Sequence, residues 1–365
     1  MTSPSTHRAP SPGNGHGHDD GNGHGHGGTV GSLRRMLATG TGPVFVVLAA
    51  LLLLMLALNP GFFQPASLMA FLRNASPLII LAIGQYFVIV SGEFDLSVGS
   101  LVGAQVVIAA RLIDGQESRT WPVIALMLAV GLLVGLVNGL VTTLLKVPSF
   151  ITTLGMMLIL AGAVRLWTGG APTGALSESF RQWGRTGIEV PVLRQIPYAG
   201  LIMIAIAILA ILLMRASYGR TLITTGDNDV AVGFAGARVW QVRTTAFVLS
   251  GLLATVAGIL IGGFAGVTAQ VGQGMEFTAI TAVVLGGVVL GGGRGWVVGA
   301  MAGALTYRLL ERLLVQLDMP STLNPTIQGV IIILALAYGA RRSWGRRRRR
   351  AAQPVTTPSE PAGVT

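Results

Sequence analysis

Residues 75–111 read ASPLIILAIGQYFVIVSGEFDLSVGSLVGAQVVIAAR. Two apolar runs, 75–91 and 96–111, meet at Ser91-Gly92-Glu93-Phe94-Asp95-Leu96-Ser97-Val98-Gly99-Ser100, which carries two carboxylates. Charges set between apolar runs are costly in lipid and usually face protein or water. Glycine at 92 and 99, with serine at 91 and 97, suggests a helix that breaks or re-enters. Broken helices line transport pathways because their freed backbone groups need polar partners. A plainer reading is a short cytoplasmic turn in which Asp95 caps the next helix. The residues alone leave both readings open.

The rest of the chain places this break in a membrane. Of 365 residues, 52% are hydrophobic and only 11% charged, against about 25% charged in soluble domains; mean hydropathy is +0.68. A water-soluble or disordered protein is excluded on that ground. Cysteine is absent, which removes disulfide scaffolds, thiolate metal sites and cysteine nucleophiles. All five histidines fall in the first 26 residues, so the body of the chain has no histidine chemistry and no histidine metal site. Lysine occurs once, at Lys146, and no segment reads G-x-x-x-x-G-K-[ST]; ATP hydrolysis through a P-loop is not expected of this chain. The net charge of +11 includes seven arginines between Arg341 and Arg350. Nucleic acid would fit such a tail, but in a membrane chain arginine marks cytoplasmic segments, and no nucleic-acid partner is expected.

Three regions follow. Residues 1–32 form a Ser/Pro/Gly/His-rich tail that cannot bury enough surface to fold. Its repeat, Gly-Asn-Gly-His-Gly-His at 13–18 and 21–26, offers at most incidental metal affinity. Residues 33–342 form the membrane domain, and 343–365 a basic, disordered tail. Spans need about 20 apolar residues. Ten candidates are read at 42–59, 75–91, 96–111, 122–144, 149–168, 198–214, 243–264, 277–293, 296–316 and 322–340. The first follows Arg34-Arg35 like a signal-peptide core, but it lacks a small-residue cleavage site and reads as an anchor. The expected fold is all-α, a polytopic helical bundle of about ten spans with broken or re-entrant segments.

An even number of spans puts both termini on one side. With the tails cytoplasmic, sixteen basic residues fall inside and seven outside, which supports a multi-pass protein of the cell membrane with both termini cytoplasmic. Loop 169–197 is then outside and 215–242 inside. Glycines spaced by four at 131/135/139, 258/262/266 and 295/299/303 mark helix faces open to close approach by another helix. Arg308, Glu311 and Arg312 share a face and suggest a structural ion pair at a span end. Glu276 and Asp318 read as interface residues, and Gly291-Gly292-Gly293-Arg294-Gly295 as a tight turn.

The inside loop holds a second informative stretch. Asp227, Asn228 or Asp229 can cap a short helix, and Gly236 can end it. Val230 and Phe234, with Ala231, Ala235 and Val239, give that helix one apolar face. It is too short to span. Docking into a partner's groove and packing back on its own bundle are both compatible with the pattern.

At these segments the sequence resembles the permease subunits of ATP-binding-cassette importers for simple sugars, the ribose, xylose and galactoside type. Residues 93–100 are similar to that family's Asp-Leu-Ser-Val-Gly signature. Asn138-Gly139 with Lys146-Val147-Pro148-Ser149-Phe150-Ile151-Thr152-Thr153-Leu154-Gly155 resembles its next block. Tyr218-Gly219-Arg220, then Ala282-Val283-Val284-Leu285-Gly286-Gly287 and Gly291–Gly295, complete the set over about residues 43–340. The resemblance implies a separate cytoplasmic ATPase that uses the ATP, an extracytoplasmic sugar-binding protein and a second permease subunit, most simply a homodimer. The lipid bilayer is the remaining partner, and this chain needs no cofactor. The stretch 226–239 would be the coupling helix, with Gly226, Asp227, Asn228, Val230, Ala231, Phe234, Ala235 and Gly236 its contact residues. Two departures stand out. The family often has an acid and two alanines where this chain has Val230, Ala231 and Val232, and Glu93 replaces a residue that is commonly glycine.

The expected function is therefore a permease subunit, not an enzyme, passing a monosaccharide by alternating access. Pathway candidates are Gln85, Glu93, Asp95, Ser97, Asn138 and Thr152, with Gln105 and Thr153 adding amide and hydroxyl. Such groups can hand on a hydroxyl-rich solute through weak hydrogen bonds. Trp183 and three arginines of loop 169–197 are available to the delivering protein. Three alternatives remain at this level. One is a branched-chain amino-acid permease; another is an ATP-independent carrier, disfavoured by the few ionisable residues within the spans. The third is a membrane enzyme, disfavoured by the histidine-free core.

Overall fold

The computed structural model describes residues 42–333 apart from 192, 193, 269, 324 and 332. Both tails, the arginine cluster at 341–350 and most of the expected last span lie outside the described residues; its residues 325–331 are helical.

Helix α1 (Gly42–Leu58) is short and apolar. It leads through a 3₁₀ turn, Pro60–Phe63, into α2 (Pro65–Val90). Met55 and Phe62 pack with Leu309 and Leu313 to hold α1 against the rest of the protein. Helix α2 starts on Pro65, whose missing N–H costs nothing at a first helical position. It also contains Pro77, which removes one helical hydrogen bond. Next to it, the Ser76 hydroxyl donates to the Leu72 carbonyl at 2.6 Å. Residues 75–90 are buried without exception, so α2 is the centre of the protein. The expected short span 75–91 is thus the inner part of a 26-residue helix. Polar Arg73 and Asn74 had hidden its outer ten residues, and Arg73 instead donates to the Arg185 carbonyl at 3.1 Å.

After the break come α3 (Val98–Ile113), a 3₁₀ turn at Glu117–Arg119, α4 (Thr120–Leu144) and α5 (Ser149–Thr168). The loop expected outside holds α6 (Glu178–Arg185) and a hairpin, β1 (Gly187–Val190) with β2 (Arg194–Pro197). The strands pair antiparallel, Gly187 opposite Pro197 and Val190 opposite Arg194. This hairpin is a small β addition to an otherwise helical architecture. Glu117 caps α6 by accepting from the Glu178 N–H at 2.7 Å and from the Ser179 hydroxyl. Trp183 stacks edge-on against Trp121 and tilted against Tyr198, with centroids 6.1 and 5.8 Å away.

Then follow α7 (Tyr198–Arg215), α8 (Ser217–Asp227), α9 (Asp229–Phe234), α10 (Val239–Ala265), α11 (Met275–Leu285) and α12 (Val297–Gln316). Five segments are long and apolar enough to cross a membrane: Pro65–Val90, Glu117–Leu144, Ser149–Thr168, Tyr198–Arg215 and Val239–Ala265. Gly42–Leu58, Val98–Ile113 and Met275–Leu285 are shorter apolar helices. The expected span 277–293 is corrected: α11 stops at Leu285, because Gly286 and Gly287 turn the chain and Gly287 takes φ 81°.

The glycine ladders do what spacing of four allows, with two exceptions. On α4, Gly135 meets the Phe247–Val248 backbone of α10, and Gly139 meets Thr244. Gly258 and Gly262 of α10 receive Gln105, Val106 and Phe180, and Gly303 of α12 meets Ala282 of α11. Gly266 has nothing within 4 Å of where a Cβ would sit, and Gly295 precedes α12 with φ 132°. Helix α10 is therefore seated between α4 on one side and α2 and α3 on the other, with Ser250 backbone against Gly84.

Candidate translocation and coupling site

Helix α2 ends where Ser91 folds its hydroxyl back to the Val88 carbonyl at 2.8 Å and Gly92 takes φ 93°. A left-handed residue there is readily supplied only by glycine. Residues 93–97 then run without helix to α3. Two of their backbone donors are met by side chains of α5: Phe94 N–H donates to Ser149 Oγ and Leu96 N–H to Thr153 Oγ1, each at 3.1 Å. The helix start at Pro148-Ser149-Phe150 on α5 thus serves as the broken segment's hydrogen-bonding wall.

Asp95 is buried at the middle of the break. Its Oδ1 accepts from the Ser97 N–H at 3.0 Å and the Ser97 hydroxyl at 2.6 Å; its Oδ2 accepts from the Ser250 hydroxyl of α10 at 2.8 Å. Asn138 of α4 donates to Ser97 Oγ at 2.9 Å. Asp95, Ser97, Ser250 and Asn138 form one network across the break, α4 and α10. Asp95 sits within the break and does not cap the next helix: the residue before α3 is Ser97, and no side chain caps that helix start.

Several buried polar atoms find no protein partner among the described residues: both amide atoms of Gln85, Asn138 Oδ1, Gln105 Oε1, and the hydroxyls of Thr142, Thr152 and Thr225. Buried polar groups are normally paired, so a set of unpaired ones asks for a reason. Gln85 and Thr152 belong to this set rather than to the Asp95 network. Gln105 is anchored by its amide nitrogen, which donates to the Met127 carbonyl and Thr255 Oγ1, both at 2.8 Å.

Glu93 points away from Asp95, to the side of the break that faces α9. It pairs with Arg243 at 3.3 Å, and Arg243 pairs with Asp229 at 3.2 Å. These three, with Thr142, Lys146, Val147 and Trp240, line a cavity of about 390 Å³. Arg243 was not among the sequence candidates. Its only sequence signal is a basic residue near the start of an otherwise apolar helix.

The expected coupling helix over 226–239 is two helices. Asn228 separates α8 from α9 in an extended conformation, and its side chain accepts from the Ala231 N–H at 3.0 Å. Gly226 lies in α8 and Asp227 ends it, while Val230, Ala231 and Phe234 are on α9. Ala235 follows, and Gly236 at φ 86° turns the chain away. Phe234 is 89% exposed and Val230 63%. An apolar face of this kind on a capped, six-residue helix has not been packed back on the bundle. Tyr218 of α8 is buried and donates to the Val242 carbonyl at 3.3 Å, and that burial pushes its hydroxyl pKa up.

Among the described residues no group of three acidic side chains is placed to hold a metal ion. The ion pair expected at Arg308 and Glu311 is present at 2.7 Å, with Arg312 beside it.

A family model described as branched-chain amino acid transport system / permease component matches residues 67–336. The chain is 33% identical over 302 residues to the autoinducer 2 import system permease protein of Escherichia coli O157:H7, covering 81% of this chain and 86% of that one. It is 33% identical over 311 residues to the ribose import permease protein of Bacillus subtilis, covering 83% and 93%. No solved structure matches. The chain belongs to this family of transport permeases, as a multi-pass membrane subunit.

Proposed function

We propose, from its membership of this permease family, that the chain forms the translocation pathway of an ATP-binding-cassette importer for a monosaccharide. The exposed apolar face of α9 carries the importer reading, because a separate ATPase subunit would supply a groove for it. ATP would be used by that partner, since the sequence of this chain carries no P-loop motif. An extracytoplasmic binding protein delivers the solute on the side of α6 and the β-hairpin. A second copy of the chain completes the pathway, and both termini lie in the cytoplasm.

The substrate class rests on chemistry and on relatives. The ribose permease is 33% identical to this chain over the 311 residues they share. The broken segment and its neighbours offer the hydroxyls and amides of Gln85, Ser97, Asn138 and Thr152 rather than free charges, since Asp95 is fully engaged within the protein. A neutral polyol would exchange hydrogen bonds with such groups at low cost. Alternating access would then move the broken segment between two arrangements relative to α4, α5 and α10.

The test is reconstitution. The chain is co-expressed with a candidate ATPase subunit from the same organism, purified through this subunit, and placed in liposomes with a candidate binding protein. ATP-dependent uptake of labelled ribose or another monosaccharide, lost with Phe234→Arg together with ATPase co-purification, is the expected result. Uptake of leucine instead would overturn the sugar assignment, and uptake without any ATPase would overturn the importer reading.

A further inference from the structure

We infer that Arg243 is the positioning residue that ties the ATPase-docking helix to the broken segment, so that displacement of α9 is passed to residues 91–97. The inference rests on the reading of α9 as the docking helix and deepens it.

The observation is one guanidinium joining three elements. Arg243 sits in α10 with its side chain 19% exposed. Its Nε donates to the Ser91 carbonyl and pairs with Glu93 Oε1, both at 3.3 Å. Its Nη2 pairs with Asp229 Oδ2 at 3.2 Å. Glu93 is 14% exposed and Asp229 45%. The planar guanidinium can hold two carboxylates and a carbonyl in one fixed arrangement, which a lysine ammonium on a flexible stem does not reproduce.

The surroundings leave little slack. The Gly293 N–H donates to the Val90 carbonyl at 2.9 Å. A Cβ at Gly292 would lie 2.8 Å from Gly92 Cα, and one at Gly293 would lie 2.7 Å from Asp227 Cα. The end of α2, the end of α8 and the 291–293 turn therefore touch backbone to backbone, with no side chain between them to absorb a shift. On the far side, Ser250 lies seven residues beyond Arg243, about two turns along the same face of α10. Helix α10 thus grips the broken segment twice, at Glu93 through Arg243 and at Asp95 through Ser250. Asp229 is the ion-pair link from α9 into that grip. Coupling between sites is carried by such contiguous contacts when the element they hold has two arrangements.

The experiment uses the complete importer in liposomes and reads substrate transported per ATP hydrolysed, beside ATPase co-purification and thermal stability. Asp229→Asn removes only the α9 arm of the bridge and leaves Glu93–Arg243 in place. The expected result is that the ATPase still co-purifies while transport per ATP falls at least about fivefold, the scale of a modest coupling between sites. Arg243→Gln falls at least as far, Arg243→Lys falls less, and Asp229→Asn combined with Arg243→Gln is no worse than Arg243→Gln alone. Unchanged transport per ATP in Asp229→Asn, or effects that multiply in the double variant, overturns the inference. Should Arg243→Gln fail to fold, the half-exposed Asp229→Asn still decides. A wild-type chain that never retains the ATPase overturns the docking reading instead, and the two failures are thereby told apart.

Discussion

Replacing Gly135 by alanine should destabilise the protein, while the same change at Gly155 should not. A Cβ at Gly135 would lie 2.7 Å from Val248 Cα and 2.9 Å from the Phe247 carbonyl carbon. Comfortable carbon contacts lie at about 3.5–4.0 Å, so the helices must part by roughly 1 Å. The obstructing atoms are backbone, and no rotamer change relieves them. Separation here also loosens Gly131 against Thr255 and Gly139 against Thr244 on the same face. Overpacking costs about 1–3 kcal/mol, and a seam three glycines long argues for the upper end. Alanine returns about 1 kcal/mol of helix propensity. The net cost is then about 2 kcal/mol.

Gly155 of α5 has nothing within 4 Å of its would-be Cβ, so only the propensity gain applies. At about 2–4 °C per kcal/mol, thermal unfolding of the purified chain in detergent should fall by about 4–8 °C for Gly135→Ala and rise by about 2–4 °C for Gly155→Ala. Equal shifts of the same sign in the two variants would refute the close crossing of α4 and α10, and with it the argument that α10 is rigid enough to transmit a displacement.

Three further outcomes are expected. Asp95→Ala strands the Ser97 and Ser250 donors at a buried site and should cost about 3 kcal/mol, each stranded group being worth about 1–3; Asp95→Asn keeps an acceptor for Ser97 and should cost less than half as much, both read as melting shifts in detergent. Asn228→Ala removes the cap of α9 and about 1 kcal/mol of its helix stability; weaker ATPase retention on a permease column, with an unchanged melting temperature of the isolated chain, is the expected signature. Glu117→Ala frees the start of α6, and faster proteolysis within 169–197 should follow.

What could be read in advance, and what could not, divides along the range of the interactions concerned. The break at 91–97 was legible because glycines, serines and carboxylates interrupt an apolar run, and that interruption is local. The start of α9 was legible to within three residues, Asp227, Asn228 or Asp229, and the Gly236 stop directly, since caps and stops act within four residues; the structure selects Asn228. The outer third of α2 was not, because Arg73 and Asn74 look like a loop until α6 arrives to accept from Arg73. Span 277–293 was overextended because hydropathy ignores the two glycines at 286–287 that end the helix. The β-hairpin at 187–197 carries too short an alternating pattern to register. Arg243 could not be found at all from its own neighbours in sequence. Its partners are Ser91, Glu93 and Asp229, and only the fold brings them together. The same fact explains why a cation stands on the otherwise apolar start of α10: two carboxylates from other elements pair with it, and a charge held in place by distant partners is the kind that links moving parts.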